Sequence, residues 1–487
     1  MISFNQISAD IRTPGAYVEF DASRARGGLP VVANKVLIIA QKLAAGTAPS
    51  LVPQRVFQAA QADQLFGKGS IAARCYAAFK RADASSECWI IGLTDLVAGT
   101  QATGTITVTG PATAAGTIAL MIAGQKVPVG VANASTADTV ATAIAAAVNA
   151  KADLPVTANA AAAVVTLTAK HKGTAGNDID VRHSFYQGEA LPAGIGLAVV
   201  AMAVGAGDPD YDAVWPALGE VDYRTIILAA HSATVLGSIE VELASRWGPQ
   251  RMQESFCWTA KRGDLAALLA FGPTRNSELV SNLGTGMSPT PPWEWAGAYG
   301  GIAGYQTATD PARPLHTLTL PGVLAPVPGG RMARGDREAL LKAGVATYTV
   351  GSDGTVALER TITSYQKDAF GQPNTAFLDA ETVLTLSYIR IAVRARFLAK
   401  FPRHKLARDG TRFGAGQSIV TPSVLRAELV ALFRELEEAG LVENLDQFKA
   451  DLIVEIDAND PNRVNALIPP DLVNQLRAFA AQLQFRV

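Results

Sequence analysis

The sequence predicts a multi-domain protein that combines an α/β core with smaller α+β parts. Three observations lead to this prediction. The chain has 487 residues, which at roughly 150 residues a domain suggests about three domains. Apolar strand patterns alternate with helical patterns on both sides of residues 97–205, as in a mostly parallel sheet covered by helices. In between the composition changes, with no Phe, Tyr or Trp between Trp89 and Phe185.

Residues 1–29 are expected to form an extended N-terminal arm. Prolines and glycines flank a short stretch that alternates between polar and apolar side chains, which is typical of a strand. A single strand has unpaired backbone groups, so it needs the edge of a sheet elsewhere. The candidate strand residues are Ala16, Tyr17, Val18, Glu19 and Phe20.

The α/β core is predicted in two parts, residues 30–96 and 206–350. Apolar runs in the first part predict buried strands on either side of a helix, and the second part repeats this alternation. The predicted elements are strand 36–40, helix 70–82, strand 87–93, strand 225–230, helix 233–247 and strand 254–259.

Residues 97–205 are predicted to be a small β-rich α+β domain inserted into a loop of that core. The segment is rich in Ala, Thr, Gly and Val, and glycines mark the return to the core. Ser135 and Asp138 have capping-box spacing at the start of its one predicted helix. A low-complexity linker is the alternative. The predicted elements are strands 104–109, 117–122, 126–131 and 164–169 and helix 136–150.

Residues 284–331 are rich in proline and are predicted to be mostly loop. Four glycines in this region do not have the spacing of a dinucleotide-binding fingerprint. They indicate either a flexible turn or a place where helices pack closely. These glycines are Gly297, Gly300, Gly301 and Gly304.

A C-terminal α+β domain is predicted at residues 351–472, followed by a C-terminal strand arm at 473–487. Helical patterns run from about 379 to 401 and from 421 to 440, and residues 451–457 have a strand pattern. Polar and apolar residues alternate strictly at the end of the chain, as in a strand. The arm is therefore expected to pair with a sheet of a neighbouring subunit or with a sheet of its own subunit. The predicted strand residues are Leu483, Gln484, Phe485, Arg486 and Val487.

Charge is unevenly distributed along the C-terminal domain. Residues 390–412 hold eight cations and one acid, a net charge of +7, whereas residues 428–460 hold ten acids and two cations, a net charge of -8. The two stretches either pair within one domain or meet complementary stretches on another subunit. Nucleic acid is not expected as a partner, because the acidic stretch would repel phosphate. The candidate partner contacts lie between the two predicted helices and are Arg403, Lys405, Arg408 and Arg412.

Composition gives no sign of a metal, a cofactor or a membrane anchor. The three cysteines lack the spacing of a zinc site or a disulfide framework, so buried free thiols in a reducing cytoplasm are expected. The N-terminus has no signal-peptide pattern. No apolar run approaches the roughly 20 residues of a membrane-spanning helix, so direct membrane insertion is not expected.

No catalytic constellation is evident, and the protein is not expected to be an enzyme. Residues 284–288 resemble the segment that carries the nucleophile of subtilisin-type proteases, but Gly286 occupies the serine position. Acyl transfer needs an oxygen or sulfur nucleophile beside a base. A serine hydrolase is therefore only a weak alternative.

Five segments of the chain carry a resemblance to a known family: residues 104–110, 122–127, 173–179, 405–414 and 419–422. Together they resemble the Mu-like tail sheath proteins of contractile phages. The order of these segments and the two terminal arms extend the match over essentially the whole chain. The resemblance implies a subtilisin-like core without catalysis, an outer inserted domain and an inner C-terminal domain.

The resemblance also implies a function and a set of partners. A sheath subunit polymerises as stacked rings around a tail tube and contracts to drive the tube through the host envelope. Its expected partners are itself, as a helical homo-oligomer, the tail tube protein, and the baseplate and tail terminator proteins. The arms would add strands to the C-terminal domains of neighbours, and the four candidate cations would meet the tube or the next subunit. The expected location is the virion tail sheath, after assembly in the host bacterial cytoplasm; a bacteriocin or secretion apparatus is the alternative setting.

Overall fold

The computed structural model describes residues 13–15, 28–414 and 416–486. The N-terminal strand predicted at Ala16–Phe20, and Val487 at the other end, lie outside these residues. The described chain divides into two compact units. The larger contains Ala33–Ser387 and the residues from Asn474 onward, and the smaller contains Tyr388–Val473 and the described residues before Ala33.

The larger unit contains both strands and helices, which confirms the prediction of a mixed α/β, multi-domain chain. In chain order its elements are β1 (Lys35–Gln41), β2 (Gln54–Val56), α1 (Ala59–Phe66), α2 (Ile71–Ala82), β3 (Glu87–Leu93), β4 (Gln101–Thr109), β5 (Gly116–Ile122), β6 (Gln125–Val131), α3 (Ala137–Ala150), β7 (Val156–Ala161), β8 (Val164–Lys172), β9 (Val181–His183), β10 (Gly196–Ala203), α4 (Val214–Leu218), β11 (Thr225–Leu228), α5 (Ala233–Trp247), β12 (Phe256–Lys261), α6 (Leu265–Phe271), β13 (Val280–Gly284), α7 (Pro292–Thr309), α8 (Arg334–Lys342), β14 (Thr347–Val350) and β15 (Val356–Arg360). Helix α9 (Ala380–Lys400) begins in this unit.

A six-stranded sheet forms the core of the larger unit, in the order β13-β12-β11-β1-β3-β2. Its first five strands are parallel, and β2 joins the edge in antiparallel orientation. Residues 36–40 of the central strand β1 are fully buried, as expected of a parallel strand covered by helices on both faces. The apolar runs predicted at 36–40 and 87–93 are therefore neighbours in the sheet, with Val36 opposite Cys88.

The prediction that residues 284–331 are mostly loop is wrong in the middle of this range, where α7 forms an 18-residue helix. The four glycines are on this helix and allow close packing. A Cβ added at Gly297 would lie 2.4 Å from the carbonyl oxygen of Cys75 on α2, and one at Gly300 would lie 2.5 Å from Ile227 on β11. The glycines therefore let α7 fit between α2 and the sheet, and this tertiary gain outweighs the low helix propensity of glycine.

Strands β4 to β10 form two sheets of their own, between β3 and β11 in the sequence. One has the order β10-β4-β8-β7 and the other β6-β5-β9. Helix α3 begins as predicted, but its cap differs from the expected pair of Ser135 and Asp138. Thr136 caps the helix by accepting a hydrogen bond from the backbone N–H of Thr139 at 3.3 Å.

The smaller unit is an α+β arrangement of short strands around helix α10. After the last residues of α9, its elements are β16 (Lys405–Leu406), β17 (Ile419–Val420), α10 (Pro422–Glu438), β18 (Val442–Glu443), α11 (Leu445–Asp451), β19 (Ile453–Ile456), β20 (Val464–Leu467) and β21 (Asp471–Leu472). Its core includes Phe433 of α10, which stacks on Phe448 of α11 with ring centroids 3.9 Å apart. The structural units assign residues 351–387 to the larger unit, because β15 and the following segment pair with elements of that unit.

Candidate assembly surfaces

The carboxyl edge of the six-stranded sheet is where an α/β protein would ordinarily hold a ligand. Polar side chains follow three of its strands: Asp95 after β3, His231 after β11, and Lys261 and Arg262 at the end of β12. All four contact the segment that contains β4 to β10 or hydrogen-bond to one another. The inserted segment therefore covers this edge.

Asp95 is the most highly connected of these residues. Its Oδ1 accepts hydrogen bonds from His171 Nδ1 and Gln41 Nε2, both at 2.8 Å, and its Oδ2 accepts one from the backbone N–H of Lys172 at 2.8 Å. His171 Nε2 accepts from the N–H of Ile71, so its proton is on Nδ1. Burial raises the pKa of Asp95, but the hydrogen bonds led by that from His171 outweigh burial and leave the pKa below its ordinary value.

His231 has a carboxylate on one side and an ammonium group on the other. Its Nε2 lies 2.8 Å from Asp178 Oδ2, and its Nδ1 lies 3.1 Å from Lys261 Nζ. Since lysine can only donate, Nδ1 is the acceptor and the imidazole proton on Nε2 points at Asp178. Next to this pair, Arg262 binds Asp180 at 2.7 Å. These contacts join residues at the carboxyl ends of β11 and β12 to the segment that contains β4 to β10.

The segment that resembles a protease nucleophile has no nucleophile in position. Gly286 has a φ of 61°, in the left-handed region that favours glycine. The nearby Ser288 hydroxyl donates to the carbonyl of Leu324 at 2.6 Å and accepts from Trp295 Nε1 at 2.9 Å, so it has a structural role. In the described part of the chain, no group of three or more His, Cys, Asp or Glu residues could hold a metal ion.

All three cysteine thiols are free and buried, as the sequence predicted. Burial raises the pKa of each thiol, so none is a poised thiolate. They are Cys75, Cys88 and Cys257.

The predicted basic contact residues lie together on the loop between α9 and α10. All four are exposed, and within the described chain none forms an ion pair; Lys405 Nζ donates only to Gln417 at 3.1 Å. They are Arg403, Lys405, Arg408 and Arg412. The charge of this loop is therefore available for a partner.

Other parts of the two charged stretches do pair within the smaller unit. Arg396 binds both Glu428, at 2.9 Å, and Glu435, and Lys400 binds Glu428 at 2.7 Å. Pairing within one domain thus occurs between α9 and α10, whereas the four loop cations have no ion pair among the described residues. Sequence spacing alone does not distinguish the two groups, because both lie in one continuous basic stretch.

The C-terminal arm has no strand partner among the described residues. Residues 473–486 form no helix or strand, and Leu483 and Phe485 are 90 % and 80 % exposed. The smaller unit contains a two-stranded antiparallel sheet, β19 with β20, that has no further strand on either side in the described chain. Its exposed Ile453 and Leu467 mark it as a surface that another strand could cover. Sequence analysis missed β20 and hence this hairpin.

No helix in the described residues is both long and apolar enough to cross a membrane.

Comparison with known families gives three adjoining matches. The phage tail sheath protein beta-sandwich domain matches residues 97–196, the phage tail sheath protein central domain matches 204–364, and the phage tail sheath C-terminal domain matches 372–486.

Individual proteins agree with these matches. The chain is 43 % identical over 484 residues to the Mu-like prophage FluMu tail sheath protein of Haemophilus influenzae, with 99 % of each chain covered. The solved sheath tail protein of Desulfitobacterium hafniense has a TM-score of 0.51 at 16 % identity, covering 95 % of this chain and 97 % of that one. The contracted PVC sheath complex of an extracellular contractile injection system also has a TM-score of 0.51, at 10 % identity, with 99 % of each chain covered. At these identities the two structures show a shared fold.

Proposed function

This chain belongs to the Mu-like phage tail sheath proteins, and we propose that it polymerises as stacked rings around a tail tube and contracts to drive the tube through the host envelope. The observation that carries the proposal is the full-length match to a tail sheath protein at 43 % identity. Like its relatives, the protein is structural and not an enzyme. The contacts of the inserted segment with the carboxyl edge of the sheet agree with a structural role for the residues at that edge.

The C-terminal arm connects subunits by strand addition. A lone strand is unstable in water, whereas an added strand gains main-chain hydrogen bonds along a sheet edge. The β19–β20 hairpin of a neighbouring subunit offers two such edges. Alternating apolar residues of the arm, including Leu483 and Phe485, would then pack beside exposed Ile453 and Leu467. Residues 16–20 are proposed to add to the same sheet from another neighbour.

Such an interface is heterologous, because the arm and the hairpin are different surfaces. It therefore does not close on itself and propagates as a helix of subunits. Residues 97–205 would lie on the outside of the sheath, and the C-terminal domain would face the tube. The loop cations would meet acidic groups on the tube or on the adjacent sheath subunit. Baseplate and terminator proteins would bound the two ends of the sheath, which is assembled in the host cytoplasm and becomes part of the virion.

Truncation tests the proposal. Removal of residues 480–487 should leave a folded protein that no longer forms tubes in electron micrographs, and removal of residues 1–24 should do the same. Leu483→Pro should also block assembly, because proline removes a ladder donor. The matched control Leu483→Val keeps the donor and should assemble. Normal tubes from both truncated proteins would refute the arm mechanism.

A further inference from the structure

The C-terminal arm is attached to the larger unit by two side chains just before it becomes free. Gln475 Nε2 donates to the carbonyl oxygen of Ala312 at 3.3 Å. Arg477 Nη2 lies 3.2 Å from Glu381 Oε2 and 3.2 Å from Asp379 Oδ1. In residues 478–486, by contrast, every side chain is exposed and none forms a hydrogen bond or ion pair with another described residue. The attachment therefore ends at Arg477.

The carboxylate that receives Arg477 is completely buried. Glu381 has no exposed side-chain surface, and its Oε1 already accepts hydrogen bonds from the N–H of Leu315 at 3.1 Å and the hydroxyl of Thr361 at 2.9 Å. Arg477 is its only ion-pair partner within the described chain. A buried carboxylate is costly unless it is paired, so this contact differs from an exposed surface ion pair.

The second carboxylate is already held in place by the core. Arg360 binds Asp379 through two nitrogens, with Nε to Oδ1 at 3.0 Å and Nη2 to Oδ2 at 3.2 Å. The larger unit thus presents two positioned carboxylates, and Arg477 supplies the cation from the arm. Because both acceptors are fixed by other contacts, binding of Arg477 fixes the path of the chain at this point.

We propose that Arg477 is the positioning residue that fixes the root of the C-terminal arm and so sets the length of the tether between sheath subunits. The inference rests on the proposed function of the arm. With Arg477 bound, the ten residues that follow it in the sequence, 478–487, could span at most about 33 Å. Without it the nearest upstream attachment is the hydrogen bond from Gln475 to Ala312, which leaves 12 residues and a reach of about 40 Å. A longer tether should loosen the spacing between neighbours.

A spin label at position 479, introduced as Phe479→Cys, reports on the root directly. The three native thiols are buried, so labelling is selective. In dilute, unpolymerised full-length protein, Arg477→Gln should make the label clearly more mobile. Arg313→Gln removes an exposed arginine of the same unit that has no ion pair among the described residues, and it should leave the label unchanged. An immobile label in Arg477→Gln would overturn the proposal.

Assembly gives the second readout. Arg477→Gln should yield sheaths that are shorter or irregular in subunit spacing, and Arg477→Lys, which keeps the charge, should be closer to the original. If the single variant unfolds because Glu381 is left unpaired, the double variant Arg477→Gln with Glu381→Gln removes both charges and still releases the root. A mobile label with regular, full-length sheaths would refute the tether-length role. Assembly of the protein lacking residues 480–487 would refute the proposed arm function, while the label result would still decide whether Arg477 holds the root.

Discussion

Gly297 allows a prediction whose sign depends on tertiary packing. Glycine in the middle of a helix is ordinarily about 1 kcal/mol less favourable than alanine, so Gly297→Ala should stabilise α7 if propensity decides. The structure predicts the opposite. A Cβ at this position would lie 2.4 Å from the carbonyl oxygen of Cys75 and 3.1 Å from the Ala78 side chain, both on α2.

The magnitude follows from comparing these two effects. The close atom at 2.4 Å is backbone, so it cannot move aside unless α2 shifts away from α7. Overpacking of this kind costs about 1–3 kcal/mol and sometimes more, which exceeds the gain in helix propensity. After the propensity gain of about 1 kcal/mol is subtracted, Gly297→Ala should lower the free energy of unfolding by up to about 2 kcal/mol.

Gly237 provides the matched control because it also lies within a helix, α5, but has no atom within 4 Å of an added Cβ. Gly237→Ala should raise stability by about 0.5–1 kcal/mol. Urea or thermal unfolding of the unpolymerised protein should place the midpoints in the order Gly297→Ala, original, Gly237→Ala. A Gly297→Ala protein as stable as the Gly237→Ala protein would refute the close packing of α7 on α2.

Three further outcomes are expected. Reversing the charges of Arg403, Lys405 and Arg408 together should weaken attachment to the tube at low salt, and less so at high salt. Single reversals should have mild effects, because exposed ion pairs contribute about 0.2–1 kcal/mol each. Unchanged attachment of the triple variant at low salt would indicate that the loop is merely solvated. A serine-directed covalent probe should not label the protein, and stoichiometric labelling of Ser288 or another serine would overturn the structural role. A thiol reagent should modify the cysteines only after denaturation, because burial raises their pKa; rapid reaction of the folded protein, measured by absorbance, would contradict this.

Local patterns in the sequence were sufficient where an element is defined by its own residues. Strand β3 spans the predicted residues 87–93, and α5 spans the predicted 233–247. Both carry a clear period of apolar side chains or a run of buried ones. The same local signal separates the inserted segment, since its composition changes at both ends.

Features that depend on distant residues could not be predicted in this way. Helix α7 has glycines that argue against a helix locally, and only the shape of α2 and β11 explains them. Asp95 and His171 are 76 residues apart, so no spacing rule connects them. The basic stretch was recognised, but its division into paired residues on α9 and unpaired residues on the loop depends on where α10 lies.

Asp95 allows a last test, of whether the carboxyl edge is closed by a stabilising junction. In Asp95→Asn the amide nitrogen cannot accept from the N–H of Lys172, and the hydrogen bond to His171 loses its charge. The loss should be about 1–3 kcal/mol in the free energy of unfolding at pH 7. Asp138 is an exposed carboxylate of the same unit, and Asp138→Asn should change the free energy of unfolding by only about 0.5 kcal/mol or less.

The pH dependence distinguishes this ionised junction from a merely buried polar contact. Because the pKa of Asp95 is lower in the folded protein, its contribution is fully present above the ordinary aspartate value of about 4 and is lost as the pH falls through the folded pKa. The difference in stability between the original protein and Asp95→Asn should therefore be largest at neutral pH and shrink below about pH 4. Urea unfolding at a series of pH values measures it. A difference that stays constant down to low pH would mean that the Asp95 charge does not hold the inserted segment on the sheet edge, and the edge would then be closed by shape alone.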